Sequence, residues 1–522
     1  MKMACFAYRR KFLSILSACA AATCLLGPQT ALAQVGSPIY EFLGAELRDT
    51  NLGQSALAVQ RTCIALIPIS NGGGLDAAGQ ELFDRCGELV STARDLEALP
   101  GNTARTLGYT DGNELLAAFQ QVNGEEAQAS ATMATSASNE QFSSIGARLG
   151  ALRGATSASV TSVTANTTEF MYGSGGGAAA DDSGLAFGPW GWFIRGTYAT
   201  GDRDPTNPNS FSGEENGFDF DQYGMTVGID HISDTSVWGF AVTYSNYEVT
   251  MKNASVPGIQ TQVVDGGKIE ADSVNGSFYF DLNGRNDSYM TFVAGYGQQS
   301  FDMARNFIYF QGANATAPDV VDQTRSLIAA PDGDSLAGSL ALGRLFMRGS
   351  MLIDPHAGFT YDRITVDQFS ELDSGNTNTG PGTTQVAAMQ LAFAEQDIES
   401  IRTNLGIQIS NNMNTSFGSI RPTFSADWYH EFKDNQRIIK AKYALEDTLA
   451  ASNTPGFSSG FDNCTSCFGL VSEAPDSDYF VVGAGIAAAY RNGMQSFLMF
   501  ESLLGYENLS AYSVTLGLRG QF

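Results

Sequence analysis

The sequence predicts a mainly β protein: a closed antiparallel transmembrane β-barrel of about twelve strands over the C-terminal two-thirds, behind a small α-helical N-terminal domain. Three observations carry the barrel. Apolar side chains recur at every second position after Gly188. The connectors between these segments alternate between short and long. The chain closes on an amphipathic segment ending in Phe522.

Composition sets the bounds. The 522 residues are too many for one small domain. Charged residues make up 16%, and the long apolar runs of a helical membrane protein are not seen. A hydrophobic content of 43% with 11% aromatics argues against disorder. The 57 glycines suit a barrel, where glycine relieves crowding at strand bends and aromatics form interfacial girdles. A net charge of −26 excludes nucleic acid as a natural partner.

The N-terminus reads as a targeting segment. Lys2, Arg9, Arg10 and Lys11 are followed by an apolar core from Phe12 to Leu26. Ala31-Leu32-Ala33 supplies the small residues that signal peptidase needs, so cleavage is expected between Ala33 and Gln34. A competing reading takes Leu16-Ser17-Ala18-Cys19 as a lipobox with Cys19 lipidated; the chain stays apolar through Leu26, which argues against it. No later stretch reads as a spanning helix, the longest candidate being Phe480 to Tyr490. Three cysteines (Cys5, Cys19, Cys24) leave with the signal. Four remain as local pairs, Cys63 with Cys86 and Cys464 with Cys467, and in an oxidising compartment both read as disulfides.

Helical spacing governs the next hundred residues. Ile39, Phe42, Leu43 and Leu47 follow a 3.6 period, as do Leu82, Phe83, Cys86, Leu89 and Val90. Asp111 with Glu114 predicts a capping box ahead of Leu115, Leu116 and Phe119. Gly72-Gly73-Gly74 and Pro100-Gly101 break the helices. From Gly154 to Gly188 the chain is rich in Ser, Thr, Gly and Ala and reads as a flexible connector.

After Gly188 the period becomes two. Tyr223, Met225, Val227 and Ile229 alternate with Gly224, Thr226, Gly228 and Asp230; similar runs start at Trp238 and Val274. One face is uniformly apolar, which suits lipid. The other is small and neutral-polar, which suits a lumen. Short turns near 233–235, 283–286, 348–350, 411–413 and 491–493 alternate with long polar stretches at 201–216, 252–267, 302–334, 367–395 and 433–478. Outer-membrane barrels pair short periplasmic turns with long outside loops, and closure hides every backbone donor from lipid. The last segment, Tyr512, Val514, Leu516 and Leu518 with Phe522, has the form that the barrel-assembly machinery recognises.

From Trp190 to Phe522 the chain resembles the autotransporter β-domain of type V secretion. Pro355-His356-Ala357-Gly358-Phe359-Thr360-Tyr361, running on to Val366-Asp367-Gln368-Phe369-Ser370-Glu371, is similar to one family segment. Arg421-Pro422-Thr423 followed by Trp428-Tyr429-His430-Glu431-Phe432 is similar to another, as are Tyr223 to Asp230 and Gly483 to Phe522. His356 stands where the family has Tyr, and Gly520 where an aromatic or apolar residue is common. The resemblance implies a linker helix running through the pore and carrying a passenger to the cell surface. The candidate is Asn139 to Arg153, with Phe142, Ile145, Leu149 and Leu152 in one stripe and Arg148 and Arg153 off it, available to lumen carboxylates. A surface helix of the preceding region fits the periodicity equally well. The implied division is a signal peptide over 1–33, a helical passenger over 34–138, linker and connector over 139–188, and barrel over 189–522. Family members cut inside the pore do so at an Asn-Asn junction; Asn139 to Thr168 contains none, which favours an uncleaved passenger.

Enzymatic motifs are sparse. Gly333-Asp334-Ser335-Leu336 matches the nucleophile block of GDSL esterases, and Asp427-Trp428-Tyr429-His430 an Asp-x-x-His. Both fall in barrel strands rather than in an α/β domain, and no oxyanion motif accompanies them. A lone Cys464-x-x-Cys467 lacks a second ligand pair, and His231, His356 and His430 form no metal spacing. No catalytic residue, cofactor or metal is expected. The leading reading is an outer-membrane autotransporter presenting a short helical domain outside, with adhesion as a role. Its expected partners are outer-membrane lipid, lipopolysaccharide, the barrel-assembly machinery and periplasmic chaperones. Alternatives are a pore or channel with a periplasmic or plug helical domain, and a GDSL-type surface esterase. The surface ligand is not encoded in any motif.

Overall fold

The computed structural model describes residues 37–101, 104–124, 127, 142, 145–146, 149 and 189–521, the last without 205–216, 234, 253–266, 285–286, 310–315, 317–322, 374–388, 473 and 491–493. The expected signal cleavage site at Ala33 and Gln34, the basic residues Arg148 and Arg153, and Phe522 lie outside the described residues.

Twelve antiparallel strands close into a barrel. They are β1 Trp190–Arg203, β2 Phe218–Ile232, β3 Ser236–Met251, β4 Lys268–Asn283, β5 Ser288–Tyr309, β6 Asp332–Arg344, β7 Met351–Val366, β8 Gln396–Asn411, β9 Gly418–Glu431, β10 Asp478–Tyr490, β11 Gln495–Leu504 and β12 Leu509–Gln521. Each pairs with its sequence neighbour, and β1 closes the ring on β12, with Trp192 opposite Gly520 and Arg203 opposite Leu509. No strand edge of the ring is left to face lipid, which is what a bilayer demands.

The period-two reading holds strand by strand. On β2, Tyr223, Met225, Val227 and Ile229 are exposed, while Gln222, Thr226 and Asp230 are buried inside. β12 follows the same rule: Tyr512, Val514, Leu516 and Leu518 face outward, and Ser513 and Thr515 inward. Inside, ring and glycine interlock. A Cβ on Gly228 would fall 2.1 Å from the Phe193 ring, so that ring requires a residue without one. The loop rhythm also holds, with one exception: β11 and β12 join at the long-loop end through only residues 505–508.

Among the described residues, five helices with both ends defined precede the barrel: α1 Pro38–Phe42, α2 Gly44–Leu47, α3 Asn51–Asn71, α4 Ala77–Leu96 and α5 Gly112–Val122. Their starts are chemically fixed. Thr50 caps α3 by accepting from Gly53 N–H, and Asp76 caps α4 by accepting from Gly79 N–H. Asp111 and Glu114 form the full capping box of α5. Contrary to the sequence expectation, one helix among the described residues is long and apolar enough to cross a membrane by length and composition, namely α3. Its polar residues interrupt the run without a charge cluster, so composition alone resembles a span. Leu52, Ala56, Val59, Cys63 and Leu66 are buried against protein instead.

Candidate functional site: the occupied mouth of the barrel

The helices seat in the long-loop end of the barrel. One continuous hydrophobic core joins Leu52, Val59, Leu89 and Phe119 of the helices to Phe220, Tyr247, Ile269 and Phe301, which face inward near the long-loop ends of β2 to β5. Burying apolar side chains from both parts against each other is the main favourable term available there.

Long loops complete the enclosure. Phe369–Ser370, Leu391–Phe393, Ile438–Tyr443 and Phe468–Val471 form a second, four-stranded sheet. Between its last two strands lies α6, Leu445–Ala451. The stretch 433–478, which the sequence presents as polar loop, is thus folded. Two of its buried polar residues are satisfied from within the stretch. The buried Glu446 carboxylate accepts from Ser458 N, Thr465 N and Ser466 N, each at 3.1 Å, and from Ser466 Oγ at 2.6 Å. Lys442 Nζ donates to Asp447 at 2.6 Å and to Ser459 O at 2.8 Å.

Polar contacts then register the helices on this frame. Asn51 on α3 exchanges two hydrogen bonds with the Val471 backbone, at 2.9 and 2.6 Å, like one more strand residue. Arg61 on α3 donates to the carbonyls of Thr465 and Cys467, at 3.2 and 2.6 Å. Burial lowers its pKa, opposed by Tyr443 and Glu446. Arg305 on β5 donates to the Gln121 carbonyl at the end of α5, at 2.6 Å. Thr106 and Thr316 exchange hydrogen bonds at 3.1 Å. Gly124 follows α5 with φ +71, and a Cβ there would come within 2.7 Å of Leu391 and 2.9 Å of Phe393. Glycine lets the backbone turn there, close against the loop sheet.

The lumen receives the chain next. Helical residues Phe142, Ile145 and Leu149 are buried among Phe193, Val237, Tyr279 and Val293, in the half of the lumen nearer the short turns. Three positions of the predicted stripe therefore face the barrel wall. Its fourth, Leu152, lies outside the described residues with the two arginines.

The cysteines are brought together as pairs. Cys63 on α3 and Cys86 on α4 form a disulfide with Cα atoms 5.6 Å apart, inside the helical core. Cys464 and Cys467 form the other, 5.1 Å apart, in the loop whose carbonyls hold Arg61.

The esterase residues are not brought together. Ser335 points into the lumen, buried, and donates to Asn275 at 3.2 Å. Asp427 also points inward, where it accepts from His356 Nε2 at 2.8 Å and Asn404 at 3.1 Å. His430 lies on the outer face, 3.0 Å from Asp478. Strand alternation separates them: positions 427 and 430 differ by an odd number, so they face opposite sides of the wall. No group of three or more potential metal ligands occurs among the described residues.

The outer wall carries a pattern that the sequence reading missed. Tyr198, Tyr244, Tyr296, Tyr361 and Trp428, on β1, β3, β5, β7 and β9, each donate to a carboxylate on the next strand: Asp221, Asp272, Asp334, Glu399 and Asp478. In every pair the carboxylate lies two residues toward the long loops from the residue opposite the aromatic. An amphipathic ring with its polar tip pointing away from the apolar belt is the arrangement suited to a membrane interface. Only the strand register reveals it.

Residues 192–501 match the family model of the autotransporter β-domain. The chain belongs to the autotransporter family. Among solved structures, this autotransporter barrel is similar to the translocator domain of NalP from Neisseria meningitidis, with 12% identity, 66% of this chain and 91% of that chain covered, and a TM-score of 0.42. It is similar to the transport unit of AIDA-I from Escherichia coli at 13% identity, covering 64% and 90%, with a TM-score of 0.35. The Ralstonia pickettii toluene transporter TbuX is similar at 10% identity, 65% and 91% coverage, and a TM-score of 0.37. No curated protein matches the autotransporter chain.

Proposed function

We propose that this autotransporter inserts in the outer membrane, carries its short helical domain through the pore and keeps it at the cell surface, seated in the mouth of its own barrel. One observation supports this above others: the helices share a core with the long-loop ends of the strands, while Phe142, Ile145 and Leu149 occupy the opposite half of the lumen. Long loops face outside in this class of barrel, so a domain folded among them has crossed the membrane. The barrel-assembly machinery, periplasmic chaperones and lipopolysaccharide are the partners this route requires. The division at 34–138, 139–188 and 189–522 follows the same route. An adhesive role fits the exposed end of α3, where Ile64 and Ile67 face outward.

An epitope tag inserted between Gly73 and Gly74 tests the proposal. Antibody binding to intact cells supports surface presentation. Binding only after the outer membrane is opened would favour the periplasmic-domain reading, with the barrel as a channel.

A further inference from the structure

Arg421 lies on the lumen face of β9, in the half nearer the short turns, and is 1% exposed. Neither of its terminal nitrogens has a hydrogen-bond partner. A guanidinium does not shed its proton to escape such a site, and a buried charge without a partner is strongly disfavoured. Other lumen charges are treated differently: Arg402 meets Asp362, and Asp427 is engaged by His356 and Asn404.

The neighbours of Arg421 are unfilled as well. Thr423 is the next lumen position on the same strand, and its hydroxyl is buried and unpartnered. Gln408 lies diagonally across on β8, where Ser410 faces Thr423 and Gln408 faces Ser425. Both polar atoms of its amide are buried and unpartnered. Positions i and i+2 on a strand are about 7 Å apart, as are diagonal neighbours on adjacent strands. Thr423 therefore neighbours both, with Arg421 on one side of it along the wall and Gln408 on the other. The residues facing them across β10 are small: Ala487 stands opposite Arg421, and Gly485 opposite Thr423. The patch thus combines a guanidinium, a hydroxyl and an amide, bordered across β10 by the Met499 side chain, which lies over Gly485.

We propose that Arg421, Thr423 and Gln408 form an oxyanion-binding site in the lumen that takes a carboxylate or a phosphate. The planar guanidinium presents paired donors that match either group, and the hydroxyl and amide add further donors. The anion has two possible sources. One is the chain itself, whose segment 150–188 contains Glu169, Asp181 and Asp182 as its carboxylates. The other is a free anion.

The test uses full-length protein in detergent and follows its thermal midpoint against inorganic phosphate, with chloride holding ionic strength constant. If the site takes free anion, phosphate raises the wild-type midpoint by about 3 °C. R421M abolishes that shift, and Q408L/T423V, which keeps the guanidinium, reduces it. R363Q, altered on the outer wall, keeps the full shift. If the chain supplies its own carboxylate, wild type does not respond, E169Q/D181N/D182N gains the shift, and adding R421M removes it again. Absence of a phosphate shift in both wild type and the linker variant would overturn the proposal. So would an equal shift in R421M.

Discussion

Arg305 grips Glu371 with two parallel hydrogen bonds, Nε to Oε1 at 2.7 Å and Nη2 to Oε2 at 2.5 Å, and both side chains are buried. The pair ties three parts of the chain together. Arg305 also donates to the Gln121 carbonyl of α5 and, at 3.2 Å, to the Met389 carbonyl. Glu371 accepts in addition from Leu391 N at 2.8 Å, at the start of a loop-sheet strand. Barrel, helices and loop sheet meet at one ion pair.

Breaking that pair should loosen the mouth without opening the barrel. E371A leaves Arg305 buried without its carboxylate, a change worth about 3 kcal/mol of destabilisation. Hydrogen exchange should rise in α5 and around Leu391, while gel migration of unheated protein stays that of a closed barrel. R305M/E371L removes both charges and should recover most of the loss. Unchanged exchange in E371A would mean the pair does not hold the helices.

Removing the Cys63–Cys86 bond should destabilise the helical domain selectively. The bond closes a separation of 23 residues, for which loop entropy gives about 3 kcal/mol. C63A/C86A should therefore show early loss of helical circular dichroism on heating while the β signal persists. Mass spectrometry of unreduced protein checks the pairing itself, since both thiols should resist alkylation.

The helical domain should lose stability as pH rises toward neutrality. Glu88 on α4 is buried, and burial raises its pKa to about 7; Arg85 and Arg105 pull it down, while Glu81 and Asp84 push it up. Between its ordinary value and 7 the folded form keeps a proton that the unfolded form gives up. The favourable contribution is thus complete below the ordinary value and lost as pH climbs through 7. The loss is on the order of 3 kcal/mol. Protection factors in α4, with the intrinsic pH dependence of amide exchange divided out, should be higher at pH 5 than at pH 8, and E88Q should remove most of that difference. Equal pH dependence in wild type and E88Q would contradict it.

The barrel was legible in the sequence because lipid and lumen impose different chemistry on alternate residues. Runs such as Tyr223 to Ile229 carry that alternation within a few positions. The start of α5 was legible because a capping box is local: Asp111 and Glu114 are three residues apart. The occupied mouth was not legible. Asn51 and Val471 are 420 residues apart, and two polar groups meeting across that distance leave no periodic trace. The long loops looked solvated because they are rich in polar residues, yet Glu446 and Lys442 are buried hubs. Composition records that a residue is charged. Whether its partner lies nearby in the fold is decided by tertiary packing.

Deleting Phe522 should impair assembly. In the sequence the residue follows Tyr512, Val514, Leu516 and Leu518, which face outward and read with it as the assembly signal. The truncated chain should reach the outer membrane at a reduced level, measured as the heat-modifiable fraction in membrane extracts. Wild-type levels would remove that role from Phe522.

The most direct measurement of the whole account is labelling at two engineered thiols. Asn71 is exposed at the end of α3, and Thr235 is exposed in a short turn. With the paired cysteines oxidised, N71C and T235C should each provide the sole reactive thiol for a membrane-impermeant maleimide. The account predicts that N71C is labelled on intact cells and that T235C is labelled only after the outer membrane is permeabilised. The reverse pattern, or protection of N71C until permeabilisation, would contradict a helical domain carried outside and seated in its own barrel.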